Sequence, residues 1–223
     1  MLVPTLLHRL SRTRCYSYLP VKLKKWANKK ITIQQWKDKG CPAPPPHIVK
    51  QSIIQSLRRA TGIKTFVETG TYKGHMIAAV ADDFDAIYSI ELGEDLYLAA
   101  KQRFQSFSNI NLILGDSAVQ LQYVVETLDS PAIFWLDGHY SEGETARGEK
   151  ETPIIQELEA IFTSPQDHVI VIDDARCFNG KNGYPTIQQL KKIIYKKRPN
   201  WNFEHIADQL IINNYKSINL LKC

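Results

Sequence analysis

The feature that most constrains this chain is a regular alternation of short apolar runs with amphipathic helical segments, which begins near residue 47. Each run is rich in β-branched and aromatic residues, and the segments between the runs repeat their apolar residues at helical spacing. The five runs are residues 64–68, 86–91, 110–114, 132–136 and 169–172. Because these runs are apolar throughout, both faces of each strand must be covered.

This alternation predicts an α/β fold with a doubly wound, mostly parallel, Rossmann-like sheet of about seven strands and helices on both faces. Three later apolar runs, at 203–206, 210–212 and 218–221, are predicted to be antiparallel strands. The chain of 223 residues is long enough to bury its own core without a disulfide or a metal. Its four cysteines show no CxxC pair and no regular spacing, which argues against a disulfide framework and fits a reducing compartment.

Charge divides the chain near a proline-rich stretch at residues 40–46. Residues 1–50 carry eleven Lys or Arg and one acid, whereas residues 51–223 carry seventeen Lys or Arg and twenty-two acids. The net charge of +5 therefore belongs to the N-terminal segment, and the acidic body disfavours a nucleic-acid-binding domain. We predict a basic arm with a stiff linker over residues 1–46 and the main domain over residues 47–223.

Residues 1–39 interleave aromatic and lysine side chains, which suits a peripheral contact with an anionic membrane or a partner. The alternative is an arm that packs on the domain with its lysines in water. Its composition also fits an organelle transit peptide, although the cysteine usage favours a cytoplasmic location. No apolar run reaches the length of a membrane-spanning helix.

Each of the five predicted parallel strands ends in an acid, a glycine or both. Ligands of such sheets bind beyond the carboxyl ends of the strands, so these side chains are predicted to meet at one rim. They are Glu68, Gly70, Glu91, Gly115, Asp116, Asp137, Asp173 and Asp174. The turn at Gly70 and Gly74 lacks the GxGxxG dinucleotide spacing, and the acid Glu68 disfavours a pyrophosphate there.

Three of these strand ends match the parts of one ligand. Glu91 lies where an acid receives a ribose diol, and Asp116 with Ser117 is placed to meet an adenine amino group. A ligand with an amino-acid part, a ribose and an adenine fits the three positions in order, and that ligand is S-adenosylmethionine (SAM). Plain structural roles remain open for the same residues, namely a tight turn, a first-turn acid and a helix cap.

The motifs FVETGTYKG, YSIEL, ILGDSA, FWLDGHYS and VIVIDDAR, in this order, resemble those of the class I SAM-dependent methyltransferases over roughly residues 62–223. The resemblance implies that residues 47–223 form a methyltransferase domain. It also implies a cofactor site made of Glu68, Gly70, Thr71, Gly74, Glu91, Asp116, Ser117 and Asp137.

A second constellation consists of Asp137, Asp173 and Asp174, which end neighbouring strands. Three close carboxylates repel one another, so they need a cation or raised pKa values, and hard oxygen ligands suit Mg²⁺ or a similar ion. The arrangement resembles the metal-dependent O-methyltransferases, including the macrocin-type sugar enzymes. That resemblance implies a metal that holds neighbouring hydroxyls of the acceptor. His139 is the candidate general base, and Asp137 is the second candidate catalytic residue.

We therefore predict a methyltransferase that acts on the hydroxyl of a sugar or another small molecule with the help of a divalent metal. The alternatives are metal-independent methylation of a protein or a nucleic acid, and a non-catalytic binding module that keeps the methyltransferase fold. The sequence leaves the oligomeric state open. The charged residues 141–151 follow a predicted catalytic strand end, where mobile lids commonly lie.

Overall fold

The structure is a computed structural model that describes residues 20–137 and 152–216, together with Ile218 and Leu220. The helices in these ranges are α1 (Val21–Asp38), α2 (His47–Thr61), α3 (His75–Val80), α4 (Glu94–Arg103), α5 (Ser117–Glu126), α6 (Ile154–Ile161) and α7 (Ile187–Lys197), with a 3-10 turn at Ala175–Cys177. The strands are β1 (Thr65–Thr69), β2 (Ala86–Glu91), β3 (Ile110–Leu114), β4 (Ala132–Leu136), β5 (Val169–Ile172), β6 (Asn202–Ile206) and β7 (Gln209–Asn213).

The seven strands form one sheet in the order β3-β2-β1-β4-β5-β7-β6. The first five strands are parallel, and β7 runs antiparallel to both β5 and β6. The prediction of a doubly wound, mostly parallel sheet of about seven strands is confirmed. The strand order reverses between β1 and β4, and open α/β sheets bind their ligands at such a reversal.

Helices cover both faces of the sheet, as the apolar runs predicted. Successive side chains of a strand point to opposite faces. Ile133 and Trp135 of β4 therefore pack in one apolar cluster with residues of α2 and α3, whereas Phe134 and Leu136 pack in another with residues of α5, α6 and α7. All four side chains are buried, which explains why β4 shows no alternation of polar and apolar residues.

The described part of the basic arm packs on the domain through α1. Ile33 and Trp36 are buried in the same cluster as α2, and Trp36 Nε1 donates a hydrogen bond to the Pro42 carbonyl at 2.8 Å. Trp26, on the same helix, is 45% exposed. Residues 1–19 lie outside the described residues. The domain boundary, the contact of residues 1–39 with a membrane or partner, and the cytoplasmic location stay predictions.

Two details differ from the sequence predictions. Ile218 and Leu220 are not part of a strand. Both side chains pack against the cluster that contains α2, which explains why these positions are apolar. Cys41 takes part in a disulfide bond, which the irregular cysteine spacing did not predict, whereas Cys177 is a free thiol.

Among the described helices, none combines the length and the apolar character that a bilayer crossing needs.

Candidate cofactor and acceptor site

The five parallel strands end level with one another at the carboxyl edge of the sheet. Beside β2, the Gly70 amide donates a hydrogen bond to the Ile90 carbonyl at 2.9 Å, and beside β4 the Asp137 amide donates to the Thr69 carbonyl at 3.2 Å. In the same way, the Gly115 amide donates to the Glu91 carbonyl at 2.9 Å, and the Asp173 amide donates to the Leu136 carbonyl at 3.0 Å. The residues that follow the five strands therefore form one continuous rim.

Glu91 is fixed at this rim by two backbone donors. The Tyr72 amide donates to Oε2 at 2.7 Å, and the Gly93 amide donates to Oε1 at 2.9 Å. Only 6% of Glu91 is exposed. An ionised carboxylate offers about four acceptor positions, so each oxygen keeps one for a ligand. The carboxylate is thus held in a fixed orientation in which it can receive two neighbouring hydroxyl groups.

Glu68 lies on β1, between β2, which ends at Glu91, and β4, which Asp137 follows. The Ser89 hydroxyl donates to Glu68 Oε2 at 2.7 Å, and Ser89 Oγ lies 2.6 Å from Thr71 Oγ1. Burial, reinforced by the nearby Asp137 and Glu91 carboxylates, raises the pKa of Glu68 well above its usual range. Glu68 is therefore linked to the loop after β1 by hydrogen bonds through Ser89 and Thr71.

The loop after β1 ends at Gly74, where the Phe104 ring occupies the space that a side chain would need. Gly74 has a left-handed φ of 66°, and its amide donates to the Thr71 carbonyl at 2.8 Å. A Cβ atom at this position would lie 2.6 Å from Cε2 of Phe104. The predicted glycine turn is therefore confirmed as a tight one, and its shape depends on glycine at this position.

Asp116 and Ser117 stand at the start of α5, after β3. Asp116 Oδ1 accepts a hydrogen bond from the Ala118 amide at 2.9 Å, so Asp116 caps the helix. The structural alternative that the sequence left open for Asp116 is thus present. The contact of Asp116 and Ser117 with an adenine stays a prediction.

The second predicted constellation converges in the structure. One carboxylate oxygen from each of Asp137, Asp173 and Asp174 lies within 4.8 Å of the other two. All three side chains line a cleft, together with Phe178 and Tyr184. Burial, followed by repulsion from Asp137, raises the pKa of Asp173 to about 7. Oδ1 of Asp173 is buried and accepts no hydrogen bond from the residues described.

Lys50, on α2, reaches this cluster, and the sequence analysis missed it. Its Nζ pairs with Asp173 Oδ2, and it lies 3.2 Å from Asp174 Oδ1. Burial alone would lower the pKa of Lys50, but the surrounding carboxylates outweigh burial, so the pKa is raised. The two partners lie 123 and 124 residues further along the chain, so no local pattern connects them to Lys50.

Arg176 contacts the same cluster through Asp174. Its Nη1 donates to Asp174 Oδ1 at 2.7 Å and also pairs with Asp208, which lies between β6 and β7. The Arg176 backbone amide donates to Asp208 Oδ1 at 2.9 Å. The antiparallel hairpin β6–β7 therefore helps to hold Asp174 in place.

Glu157 is a second residue that the sequence analysis missed. It lies on the buried face of α6, is 1% exposed, and lines the same cleft as Asp137. Burial raises its pKa to about 7. A signal was present in the sequence, because Glu157 interrupts the apolar stripe that Ile154 and Leu158 form at helical spacing.

The structure thus groups the predicted residues on two adjacent parts of the rim. Glu68, Thr71 and Glu91 meet around the ends of β1 and β2. The three aspartates meet at the ends of β4 and β5. His139 lies outside the described residues, as does the predicted lid at 141–151, so the role of His139 as a general base stays a prediction.

No protein-family model matches this chain, and neither does any curated protein. Solved structures do match. The O-methyltransferase from Bacillus cereus in complex with SAH (S-adenosylhomocysteine) gives a TM-score of 0.54 at 13% identity, over 93% of this chain and 96% of that chain. The O-methyltransferase TomG from Streptomyces achromogenes, involved in tomaymycin synthesis and in complex with SAM, gives 0.54 at 12% identity, over 98% and 96%. These likenesses show that the chain has the fold that the sequence resemblance implied.

Proposed function

We propose that this protein is a SAM-dependent methyltransferase that transfers a methyl group to an oxygen of a small-molecule acceptor. The observation that carries the proposal is the Glu91 carboxylate, which the Tyr72 and Gly93 amides fix at the rim. Its two remaining acceptor positions suit the paired hydroxyls of a ribose. The similar structures support the proposal, because one is in complex with SAH and one is in complex with SAM.

The donor would lie over the ends of β3, β2 and β1. Its ribose is assigned to Glu91 and its adenine to the side of Asp116 and Ser117. The methionine part is assigned to the loop after β1, where Gly74 lets the backbone turn tightly. Because this order of contacts follows the order of the strands in the sheet, one extended ligand can span all three positions.

When bound, SAM supplies a methyl group on a sulfonium sulfur, which an acceptor hydroxyl can receive. The part of this chain is to align the two molecules, remove the hydroxyl proton and exclude water. Asp137 follows β4, which is next to β1, so it is the member of the acid cluster on the donor side of the rim, and we assign it to the junction of the two ligands. His139 is proposed as the base that takes the proton.

A divalent metal is proposed to assist the acceptor at the acid cluster. The donors fit such an ion, since three carboxylates converge within 4.8 Å and the buried Asp173 Oδ1 has no hydrogen-bond donor among the described residues. Asp137, Asp173 and Asp174 would hold the ion, and the ion would supply a positive charge that lowers the pKa of an acceptor hydroxyl. The proposed acceptor is accordingly a sugar or another compound with neighbouring hydroxyl groups.

The donor part of the proposal is tested by calorimetric titration of the full chain with SAH. We expect saturable binding with one site per chain. An absence of binding at millimolar SAH would contradict the assignment of the rim as a SAM site.

The transfer is tested with methyl-labelled SAM and a panel of sugars and phenols, with the products read by mass spectrometry. Labelled ethers support transfer to oxygen, and label found only on nitrogen, protein or RNA contradicts it.

The role of the metal is tested with the same assay. Activity is expected to be lost with a chelator and restored by Mg²⁺, and to be lost in Asp173→Ala and Asp174→Ala. Full activity in the chelator and in both variants would remove the metal from the proposal.

A further inference from the structure

Lys50 places a positive charge inside the proposed metal site. Its side chain is only 12% exposed, and its Nζ contacts one oxygen of Asp173 and one of Asp174. Both acids lie at the end of β5, whereas Lys50 comes from α2. The contact therefore depends on the packing of α2 against the sheet and not on any local turn.

An ammonium group and a hard divalent cation compete for the same carboxylate oxygens. Lys50 engages two of the three proposed ligands, and an oxygen that accepts its hydrogen bond is less available to a metal. Oδ1 of Asp173, in contrast, is buried and accepts no hydrogen bond from any residue described. A buried acceptor that lacks a donor is costly, so the cluster has an unmet need for a further cation or donor.

Lys50 contacts two of the three proposed ligands, Asp173 and Asp174, whereas Arg176 pairs with Asp174 and with Asp208. Lys50 is therefore the described cation whose contacts overlap most with the proposed metal ligands.

We propose that Lys50 is a built-in competitor for the divalent cation, and that metal binding moves its Nζ away from Asp173 and Asp174. The proposal rests on the metal site of the proposed function and adds how this chain controls it. Lys50 holds the two carboxylates together when the metal is absent. As a result, the metal binds weakly and exchanges readily instead of remaining as a permanent structural ion.

The test is a calorimetric titration of the full chain with Mn²⁺, with Lys50→Met as the main variant. Methionine keeps most of the side-chain length and removes the charge, so we expect Mn²⁺ to bind at least about tenfold more tightly. Lys50→Arg keeps the charge and should stay within about threefold of the wild type. Adding Asp173→Asn to Lys50→Met should remove the gain. Equal affinity in the wild type and Lys50→Met, or no Mn²⁺ binding in either, would overturn the proposal.

A second measurement uses the wild-type chain and does not depend on the folding of a variant. The side-chain amine signal of Lys50 is followed by NMR in lysine-labelled protein during a titration with Mg²⁺, and Lys50→Arg identifies the signal. We expect the signal to move toward that of a solvent-exposed lysine as Mg²⁺ saturates the site. An unchanged Lys50 signal at saturation would show that metal and ammonium do not compete.

The competition between Lys50 and the metal can be wrong while the SAM site is right, and the experiments distinguish the two cases. Among the described residues, Lys50 pairs with Asp173 and Asp174 at the end of β5 and not with Glu91, so Lys50→Met should bind SAH within about threefold of the wild type. If the wild type binds no SAH, the proposed function fails, but the Mn²⁺ titration still reports on Lys50. If SAH binds and Lys50→Met gains no affinity for Mn²⁺, only the competition is wrong.

Discussion

Tyr72 and Glu91 are joined by a hydrogen bond of 2.7 Å from the backbone amide of the first to the carboxylate of the second. This bond links the loop after β1 to the end of β2. Glu91 therefore has two roles, since it shapes the loop that carries Thr71 and Gly74 and it also presents acceptor positions at the rim. The donor site behaves as one unit, in which a change at Glu91 affects both the loop and the ligand.

Replacing Glu91 by alanine should weaken SAH binding by at least about 100-fold, because the hydrogen bonds to both ribose hydroxyls are lost. Hydrogen bonds to a charged group contribute about 1.5–3 kcal/mol each, and about 1.4 kcal/mol corresponds to a tenfold change in affinity. Calorimetric titration measures the effect. The matched control is Glu94→Ala, because Glu94 is exposed in the first turn of α4, close in sequence. Equal losses in the two variants would show that Glu91 does not contact the ribose.

Gly74→Ala should destabilise the fold more than Gly62→Ala. Both glycines have left-handed φ angles, 66° and 74°, so alanine costs about 1–2 kcal/mol in conformation at either position. At Gly62 the added Cβ would meet nothing within 4 Å, whereas at Gly74 it would lie 2.6 Å from the Phe104 ring. The clash adds about 1–3 kcal/mol. Urea denaturation measures the difference, and equal destabilisation would contradict the packing described.

Trp36→Ala should lower the free energy of unfolding by about 3–5 kcal/mol, as expected for a large buried side chain. Trp36 is 4% exposed and packs in the cluster that contains α2. Trp26→Ala is the control on the same helix, since Trp26 is 45% exposed, and it should cost no more than about 0.5 kcal/mol. If both variants are as stable as the wild type, α1 does not pack on the domain in solution.

Glu157→Gln should stabilise the protein at pH 8 and have little effect at pH 4.5. Burial raises the pKa of Glu157 from 4.5 to about 7 in the folded state. Between these values the folded state binds more protons than the unfolded state, so the wild type loses stability as the pH rises. The loss amounts to about 3 kcal/mol above pH 7, and glutamine removes it.

Thermal or urea unfolding of both proteins from pH 4.5 to 8 measures this difference. Glu159→Gln is the control, because Glu159 lies on the same helix and is exposed. If the difference in free energy of unfolding between Glu157→Gln and the wild type does not grow with pH, Glu157 is not buried with a raised pKa.

The fold could be predicted from the sequence because its main signal is local. A strand buried on both faces must be apolar throughout, as β4 and β5 are, and an acid or a glycine marks the end of each parallel strand. The prediction of a third late strand, at residues 218–221, was wrong. Residues that pack against the core without forming a strand can be as apolar as strand residues. Leu220 is such a residue.

The candidate site could be predicted in part. Glu91 and the three aspartates were found because the carboxyl ends of parallel strands meet at one edge, whatever their distance along the chain. Lys50 was missed because its contact with Asp173 depends on how α2 packs, which no local pattern encodes. The pairing of Arg176 with Asp208 depends in the same way on the position of the β6–β7 hairpin.

The most direct test of the central claim is a crystal structure of the full chain with SAH, in which the distances from the ribose hydroxyls to the Glu91 carboxylate are measured. The account predicts that both hydroxyls lie within about 3.2 Å of the Glu91 oxygens, with the adenine beside Asp116 and Ser117. An SAH molecule bound away from the ends of β1 and β2, or with its ribose out of reach of Glu91, would contradict the account.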